Sequence, residues 1–317
     1  MIEKLKKKIL LSIIIGGVLY LAFTIYADFN QVVNAFIQFN WLLLPALLIL
    51  SFLNYLFRFF KWDYYLGVIQ VNMKKIDSLS VFMSGLVMSI TPGKLGELLK
   101  SLLVKEITNE PISRTAPIVL AERITDFLSL LILAMIGAFI YDIGGGVTIG
   151  ISLFFVLLIV FISNKNLSIT FLNQLEKIKY LKKYLKNIHA AYESSYLLLK
   201  PIPLISMTLL SLIAWGFECL GYYLILLNFD IDFGLLWSSF SYSFSTIVGA
   251  VSMLPGGLGI TEGSLTFLLI QKNVSKDIAV TTTFIVRVVT LWFAVLVGII
   301  SVFLYQKRYG KITVESI

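Results

Sequence analysis

The chain has 317 residues, 58% of them hydrophobic, and a mean hydropathy of +0.90, which exceeds what a soluble core of this size needs and excludes an ordinary globular protein. Its net charge of +8 follows the sides of the predicted spans, so we expect no nucleic-acid partner. With one cysteine, Cys219, and one histidine, His189, an internal disulfide is excluded and no cofactor, metal centre or Ser-His-Asp triad is expected.

Six apolar segments have the length of a membrane-spanning helix, which needs about 20 residues. The first lacks a small-residue cleavage site, so we interpret it as a retained helix and not as a signal peptide. The sequence therefore predicts an all-α polytopic membrane protein. The six segments are residues 9–27, 40–60, 115–141, 146–163, 203–227 and 278–305.

Two further apolar stretches, residues 78–105 and 235–271, are interrupted by Pro92 and Pro255. In the first, only residues 78–90 precede the interruption. At about 1.5 Å per residue they cover roughly 20 Å, which is too short for a hydrocarbon core of about 30 Å. We interpret both stretches as re-entrant helical hairpins, each of which enters and leaves the membrane on the same side.

Basic residues sort to one side of this arrangement. With six spans and two hairpins, 21 of the 26 lysines and arginines lie on one side, including Lys61 in the loop after the second span and Lys100 in the first hairpin. Only Lys272 and Lys276 lie on the other side. The positive-inside rule therefore predicts a multi-pass cell-membrane protein with both termini in the cytoplasm. The three remaining basic residues, inside spans, are Arg58, Arg123 and Arg287.

Residues 166–199 have apolar positions three and four residues apart and a lysine-rich opposite face. This pattern predicts an amphipathic helix. We expect it on the cytoplasmic membrane surface, near anionic headgroups. A solvated connector between two halves of the chain is the alternative.

An internal repeat relates the two hairpins. "TPGKLGELLKSLL" (91–103) matches "LPGGLGITEGSLTFLL" (254–269), and an arginine-bearing span follows each motif at nearly the same spacing. Each half then contains three crossings, an odd number, so the second half is inverted relative to the first, as in many secondary transporters. We expect a single membrane domain (1–317) with a first repeat at 1–141 and an inverted second repeat at 142–317.

Charged residues near the middle of the spans indicate function, because each costs about 2.5–3.5 kcal/mol on insertion scales. One alternative is mutual neutralisation, in which Arg123 pairs with Glu97 or Glu262 and Arg287 pairs with the other glutamate. The half-helix that starts after each Pro-Gly break points free N–H groups and a positive dipole end into the bilayer, which favours an anion such as phosphate. Glu97 and Glu262 could instead cap these ends. The candidate translocation residues are Pro92, Gly93, Gly96, Glu97, Glu122, Arg123, Asp126, Pro255, Gly256, Gly257, Gly259, Glu262 and Arg287.

In order along the chain, "TPGKLGELLKSLL", "AERITDFLSLL" and "LPGGLGITEGSL" resemble the lysylphosphatidylglycerol synthase transmembrane-region family. This is the flippase-like domain of the multiple peptide resistance factor and of many stand-alone membrane proteins. The resemblance covers essentially the whole chain and implies a domain that translocates lipids between leaflets. It also implies that Glu97, Arg123, Asp126, Glu262 and Arg287 are functional positions.

Bifunctional members of that family carry a soluble aminoacyl-transferase domain after the membrane part, and these 317 residues do not contain one. We therefore expect a stand-alone lipid transporter and not an enzyme, with membrane lipids as partners and a homo-oligomer as an open possibility. Two alternatives remain at this stage. One is a small-solute or ion transporter on the same scaffold, and the other is a membrane-embedded glycosyl or lipid transferase.

Overall fold

The computed structural model describes residues 16–91, 96–141 and 185–310, with isolated positions between residues 14 and 157. Within this part of the chain all regular elements are helical. Pro92, Gly93 and most of the predicted span 146–163 lie outside the described residues, as does the first part of the predicted amphipathic helix. The isolated positions are 14, 146, 149, 150, 153, 154 and 157.

Twelve α-helices are described, six in each half of the chain. A 3₁₀ turn, Leu86–Ile90, extends the helix Lys75–Gly85, and another, Pro255–Gly257, lies between the helices Gly234–Val251 and Ile260–Gln271. A π-helical turn, Val288–Trp292, joins the helix Lys276–Arg287 to the helix Phe293–Tyr309. The helices are α1 (Gly16–Tyr26), α2 (Phe29–Gln38), α3 (Leu44–Val68), α4 (Lys75–Gly85), α5 (Leu99–Thr108), α6 (Ile112–Tyr141), α7 (Leu185–Leu198), α8 (Pro201–Asn228), α9 (Gly234–Val251), α10 (Ile260–Gln271), α11 (Lys276–Arg287) and α12 (Phe293–Tyr309).

Three helical segments in the described residues are long and apolar enough to cross a membrane. They have 28, 28 and 34 residues and match three of the predicted spans. Helix α6, with 30 residues, coincides with a fourth. Because α3 continues to Val68, Lys61 lies inside this helix, and the prediction that placed Lys61 in a loop is wrong. The three segments are Trp41–Val68, Pro201–Asn228 and Lys276–Tyr309.

Both predicted interruptions are present as breaks between helices. The second is fully described: α9 ends at Val251 and α10 begins at Ile260. Pro255 cannot donate a backbone hydrogen bond to a continuing helix. Gly256 and Gly259 have φ angles of 61° and 84°, in the region that glycine adopts without the steric cost of a Cβ. The Pro-Gly motif thus ends one helix and redirects the chain into the next.

The two halves pack crosswise. Helix α6 packs against α9, and α12 packs against α4 and the Leu86–Ile90 turn, so each broken helix contacts a long helix from the other half. Helix α7, which covers the second part of the 166–199 segment, packs on α6.

Helices α3 and α8 pack against each other. Asn54 Nδ2 donates to the Ala214 carbonyl oxygen at 2.8 Å, and Lys61 Nζ donates to Ser211 Oγ at 2.7 Å. Gly221 of α8 lies near Leu47 and Leu50, early in α3, whereas Ser211 binds Lys61 late in α3, so the two helices are antiparallel.

Apolar side chains lie outside and charged side chains lie inside this fold, as expected for a protein in lipid. Large apolar side chains are exposed, among them Leu42 at 88% and Ile202 at 77%, whereas Lys61 and Glu262 are 1% and 0% exposed. In water such an exterior would be unfavourable. The apolar surface faces lipid, and the charged groups are collected in the interior, where they need partners.

Candidate functional site

A cavity of about 600 Å³ lies between the two halves of the chain. Its walls come from α3 and α6 in the first half, and from α8, α9, the 253–257 turn and the α11–α12 segment in the second half. Three arginines line it, one each from α3, α6 and α11. They are Arg58, Arg123 and Arg287, and the acidic residues Asp126 and Glu218 line the same cavity.

Arg123 is held by acidic residues of the first half. Its Nη2 donates to Glu97 Oε2 at 2.7 Å, and its Nη1 lies 3.7 Å from Asp126 Oδ2. The Glu97 side chain is 4% exposed and that of Arg123 is 18% exposed. Glu97 therefore fixes the guanidinium from behind while Arg123 reaches the cavity. Of the two pairings left open by the sequence, the structure shows Arg123 with Glu97.

Arg287 is held in a corresponding way in the second half. Its Nε donates to Glu262 Oε1 at 2.7 Å and its Nη2 donates to the Gly256 carbonyl oxygen at 2.5 Å. The other Glu262 oxygen, Oε2, accepts the Gly259 N–H at 2.8 Å. Glu262 thus caps the start of α10 and neutralises Arg287 at once, which confirms both roles that the sequence offered for it. The Tyr20 hydroxyl adds a longer contact to Glu262 Oε1 at 3.4 Å.

Lys61 is the first of two buried lysines that complete the charge network. Its ammonium pairs with Asp126 Oδ1 and donates to Ser211 Oγ and to Thr125 Oγ1. Its side chain is 1% exposed. An acidic partner at this depth is what a lysine in a span requires.

Lys100 has the same role beside Glu122. Its ammonium pairs with Glu122 Oε2 and lies 3.8 Å from Glu97 Oε2 and 4.7 Å from the centroid of the Trp62 ring. Its side chain is 3% exposed, so Lys100, like Lys61, is a buried residue and does not lie at the protein surface. The sequence signal that could have located them is helical spacing. Lys61 follows Arg58, and Lys100 follows Glu97, by three residues, which puts each on one face with a charged neighbour.

Arg58 and Glu218, two charged residues in apolar segments, line the cavity but were not among the candidate translocation residues. Tyr242 Oη donates to Glu218 Oε2 at 2.7 Å, and Arg58 Nη2 lies 3.8 Å from Asp126 Oδ2. The segments "LSFLNYLFR" (50–58) and "LSLIAWGFE" (210–218) align without a gap and place Arg58 opposite Glu218. This repeat in α3 and α8 is the sequence signal for the two residues, and it is weaker than the Pro-Gly motifs.

The predicted site residues divide into two groups. Those that line the cavity are Arg123, Asp126, Gly256, Gly257 and Arg287. The others support this lining from behind or shape the turns, and Pro92 and Gly93 lie outside the described residues. The supporting residues are Gly96, whose N–H donates to Thr91 Oγ1, Glu97, Glu122, Pro255, Gly259 and Glu262.

Comparison with known proteins gives a consistent result over nearly the whole chain. Residues 9–298 match the family model described as the lysylphosphatidylglycerol synthase TM region. A UPF0104 membrane protein of Methanocaldococcus jannaschii is 28% identical over 234 residues, which cover 70% of this chain and 95% of that protein. A UPF0104 membrane protein of Pyrococcus horikoshii is 26% identical over an alignment of 330 positions, which covers 95% of this chain and 98% of that protein.

Proposed function

The chain belongs to the lysylphosphatidylglycerol synthase transmembrane-region family of membrane proteins, and we propose that it moves a phospholipid or a polyprenyl-phosphate-linked lipid between the leaflets of the cell membrane. The headgroup passes through the polar cavity between the two halves, while the acyl chains stay in the bilayer. In this proposal the protein is a transporter and not an enzyme.

The proposal rests on the cavity lining, which combines arginines in the interior with exposed apolar residues at the margin. Three guanidinium groups line its interior, and arginine is the side chain best suited to bind phosphate oxygens. Val251, Met253 and Leu254 also line the cavity, and these apolar residues are 53%, 61% and 43% exposed. We take them as the margin at which the cavity opens towards lipid. A headgroup that enters there can remain attached to acyl chains outside.

The inverted repeat supports a mechanism of alternating access. Helices α3 and α8 align in sequence, and residues at aligned positions meet across their antiparallel crossing. Asn54 contacts Ala214, and the rings of Phe57 and Phe217 have centroids 5.4 Å apart. A residue that contacts its own counterpart lies close to a twofold axis. We therefore propose six spans and two re-entrant hairpins in two inverted halves, which rock about the central site.

A small-solute or ion transporter on the same scaffold is the alternative. It would also use a polar cavity with buried charges, but it would seal this cavity from lipid. The exposed apolar margin at Val251, Met253 and Leu254 favours a lipid. A membrane-embedded transferase is a third candidate, and we find no observation that favours it.

Translocation in proteoliposomes tests the proposal. Fluorescent phosphatidylglycerol is reconstituted with the protein, and lipid in the inner leaflet is measured by its protection from an impermeant quencher. We expect the wild type to expose the inner pool, and Arg123→Ala and Arg287→Ala to slow this exchange at least tenfold, because one charge-assisted hydrogen bond contributes about 1.5–3 kcal/mol.

Arg308→Ala is the matched control, because it removes an arginine that is 49% exposed and lies outside the cavity lining. We expect this variant to transport at the wild-type rate. Exchange of no tested lipid by the wild type, or equal rates for all four proteins, would contradict the proposal. Uptake of a radiolabelled anionic solute without lipid exchange would assign the scaffold to the alternative.

A further inference from the structure

The three cavity arginines differ in how their guanidinium groups are occupied. Arg123 and Arg287 each make a 2.7 Å hydrogen bond to a buried glutamate. Arg58 has a 7% exposed side chain and makes no hydrogen bond to any residue in the described part of the chain; its closest ionic contact is Asp126 Oδ2 at 3.8 Å. That separation exceeds hydrogen-bond distance.

Asp126 makes no hydrogen bond to Arg58, because one of its oxygens is used by other partners and the other lies beyond hydrogen-bond distance. Asp126 Oδ1 pairs with Lys61 and accepts from Ser211 at 3.1 Å. The remaining oxygen, Oδ2, has no hydrogen-bond donor and lies 3.8 Å from Arg58 and 3.7 Å from Arg123. A single carboxylate oxygen thus stands between two guanidiniums and is bonded to neither.

A buried guanidinium with free N–H groups needs an acceptor, since leaving such a group unpaired away from water is costly. Arg58 lines the cavity, so its acceptor can come from a molecule that occupies it. A phosphate group suits this position, because its several oxygens can accept from a planar guanidinium in a bidentate manner. Arg123 is near enough, through the shared Asp126, to contact the same phosphate.

We infer that Arg58 is the residue that directly binds the phosphate group of the transported molecule. Arg123 and Arg287, each fixed by a glutamate, line the rest of the pathway and contact the phosphate during its passage. The ligand chemistry is a phosphodiester or phosphomonoester oxyanion, carried by a lipid. This inference rests on the proposed function for the identity of the carrier, but not for the phosphate site itself.

Retention of phospholipid by the purified protein tests the inference without any transport step. Wild type, Arg58→Gln and Arg308→Gln are purified in the same mild detergent, and phosphatidylglycerol is added at graded concentrations. Bound lipid is then measured by native mass spectrometry. We expect Arg58→Gln to weaken binding at least about tenfold, the loss of one or two charge-assisted hydrogen bonds, while Arg308→Gln binds as the wild type does.

Thermal stability separates ligand binding from a structural role. Removing Arg287 deprives the buried Glu262 of its guanidinium partner, so Arg287→Gln should lower the melting temperature. Arg58 donates no hydrogen bond within the described residues, so Arg58→Gln should melt at or above the wild-type temperature in lipid-free detergent. Loss of binding with unchanged stability supports the inference. Wild-type binding by Arg58→Gln, or a fall in stability equal to that of Arg287→Gln, overturns it.

A second arm distinguishes the source of the phosphate. Binding of radiolabelled inorganic phosphate is measured for wild type and Arg58→Gln. Lipid retention that depends on Arg58, without binding of free phosphate, supports both the inference and the proposed function. Binding of free phosphate that depends on Arg58, without lipid retention, keeps the phosphate site and refutes the lipid carrier. Absence of both in the wild type refutes the inference.

Discussion

Glu122 is fully buried, and its one ion-pair partner among the described residues is Lys100. Its Oε1 oxygen accepts no hydrogen bond within the described chain, so the lysine carries most of the compensation for a carboxylate that has left water. The ammonium also lies over the Trp62 ring, where the π-electron face adds a smaller attraction. This pair therefore stabilises the fold behind the cavity and does not itself face a ligand.

We expect Lys100→Met to destabilise the protein by about 3–5 kcal/mol, the range observed when one partner of a buried ion pair is removed. The double variant Lys100→Met/Glu122→Gln should recover most of the loss, because no uncompensated charge remains. Thermal unfolding in detergent measures both. Lys75→Met is the control: Lys75 is 88% exposed and lies 3.9 Å from Asp63, so its loss should change stability by less than about 1 kcal/mol. Equal stability of Lys100→Met and Lys75→Met would show that the Lys100–Glu122 pair does not stabilise the fold.

Residue pairing could be anticipated from the sequence only in part. The repeat placed a glutamate about 25 residues before each of Arg123 and Arg287, which limited the possible pairs to two arrangements. Lys61 could not be placed in the same way. A lysine at the end of an apolar run reads as the first residue of a loop, and only the packing of α3 against α6 and α8 shows that Asp126 and Ser211 enclose it.

Helices from opposite halves of the chain approach each other closely where they cross. Gly298 of α12 lies against the backbone of the Leu86–Ile90 turn, and a Cβ at this position would come within 2.1 Å of the Val87 nitrogen. Backbone cannot move aside as a long side chain can. Membrane helices use small residues for such approaches, because close packing replaces the hydrophobic effect as the driving force.

Gly298→Ala should therefore cost about 2 kcal/mol or more, in the upper range for overpacked sites. Gly216→Ala is the matched control in α8, since no atom lies within 4 Å of the added Cβ. That substitution should leave stability unchanged or raise it by up to about 1 kcal/mol, because alanine favours the helix. Melting temperatures of the two variants in the same detergent decide the matter. If Gly298→Ala were no less stable than Gly216→Ala, the crosswise contact of α12 with α4 would be looser than described.

Element breaks and element irregularities differ in how well a sequence reveals them. Pro255 and its neighbouring glycines predict the break between α9 and α10 because each acts on its own backbone. The π-helical turn Val288–Trp292 has no such marker. The Thr290 carbonyl oxygen in this turn accepts a hydrogen bond from Tyr55 Oη of α3 at 2.6 Å. Because Tyr55 is distant in the sequence, the local sequence around Thr290 does not reveal this contact.

At the scale of the whole molecule, the cavity exists only because the halves interleave. Arg58, Arg123 and Arg287 lie on three helices that are far apart in the sequence. The crosswise packing of α6 with α9 and of α12 with α4 brings the three side chains to the same cavity. The repeat motifs predicted two related halves, and the antiparallel crossing of α3 and α8 fits that relation. The relative placement of the halves depends on the summed packing of many side chains, which no single motif encodes.

The inverted arrangement predicts that the turn after α10 and the turn before α4 lie on opposite sides of the membrane. The chain offers a clean test, because its one cysteine, Cys219, is buried and should not react with a membrane-impermeant maleimide. Ser275 and Lys75 are both exposed. In intact cells we expect Ser275→Cys to be labelled, and Lys75→Cys to be labelled only after permeabilisation, since the basic side faces the cytoplasm. The wild type controls for Cys219. Labelling of both variants in intact cells would place the two turns on the same side of the membrane and would contradict the proposed arrangement of spans and hairpins.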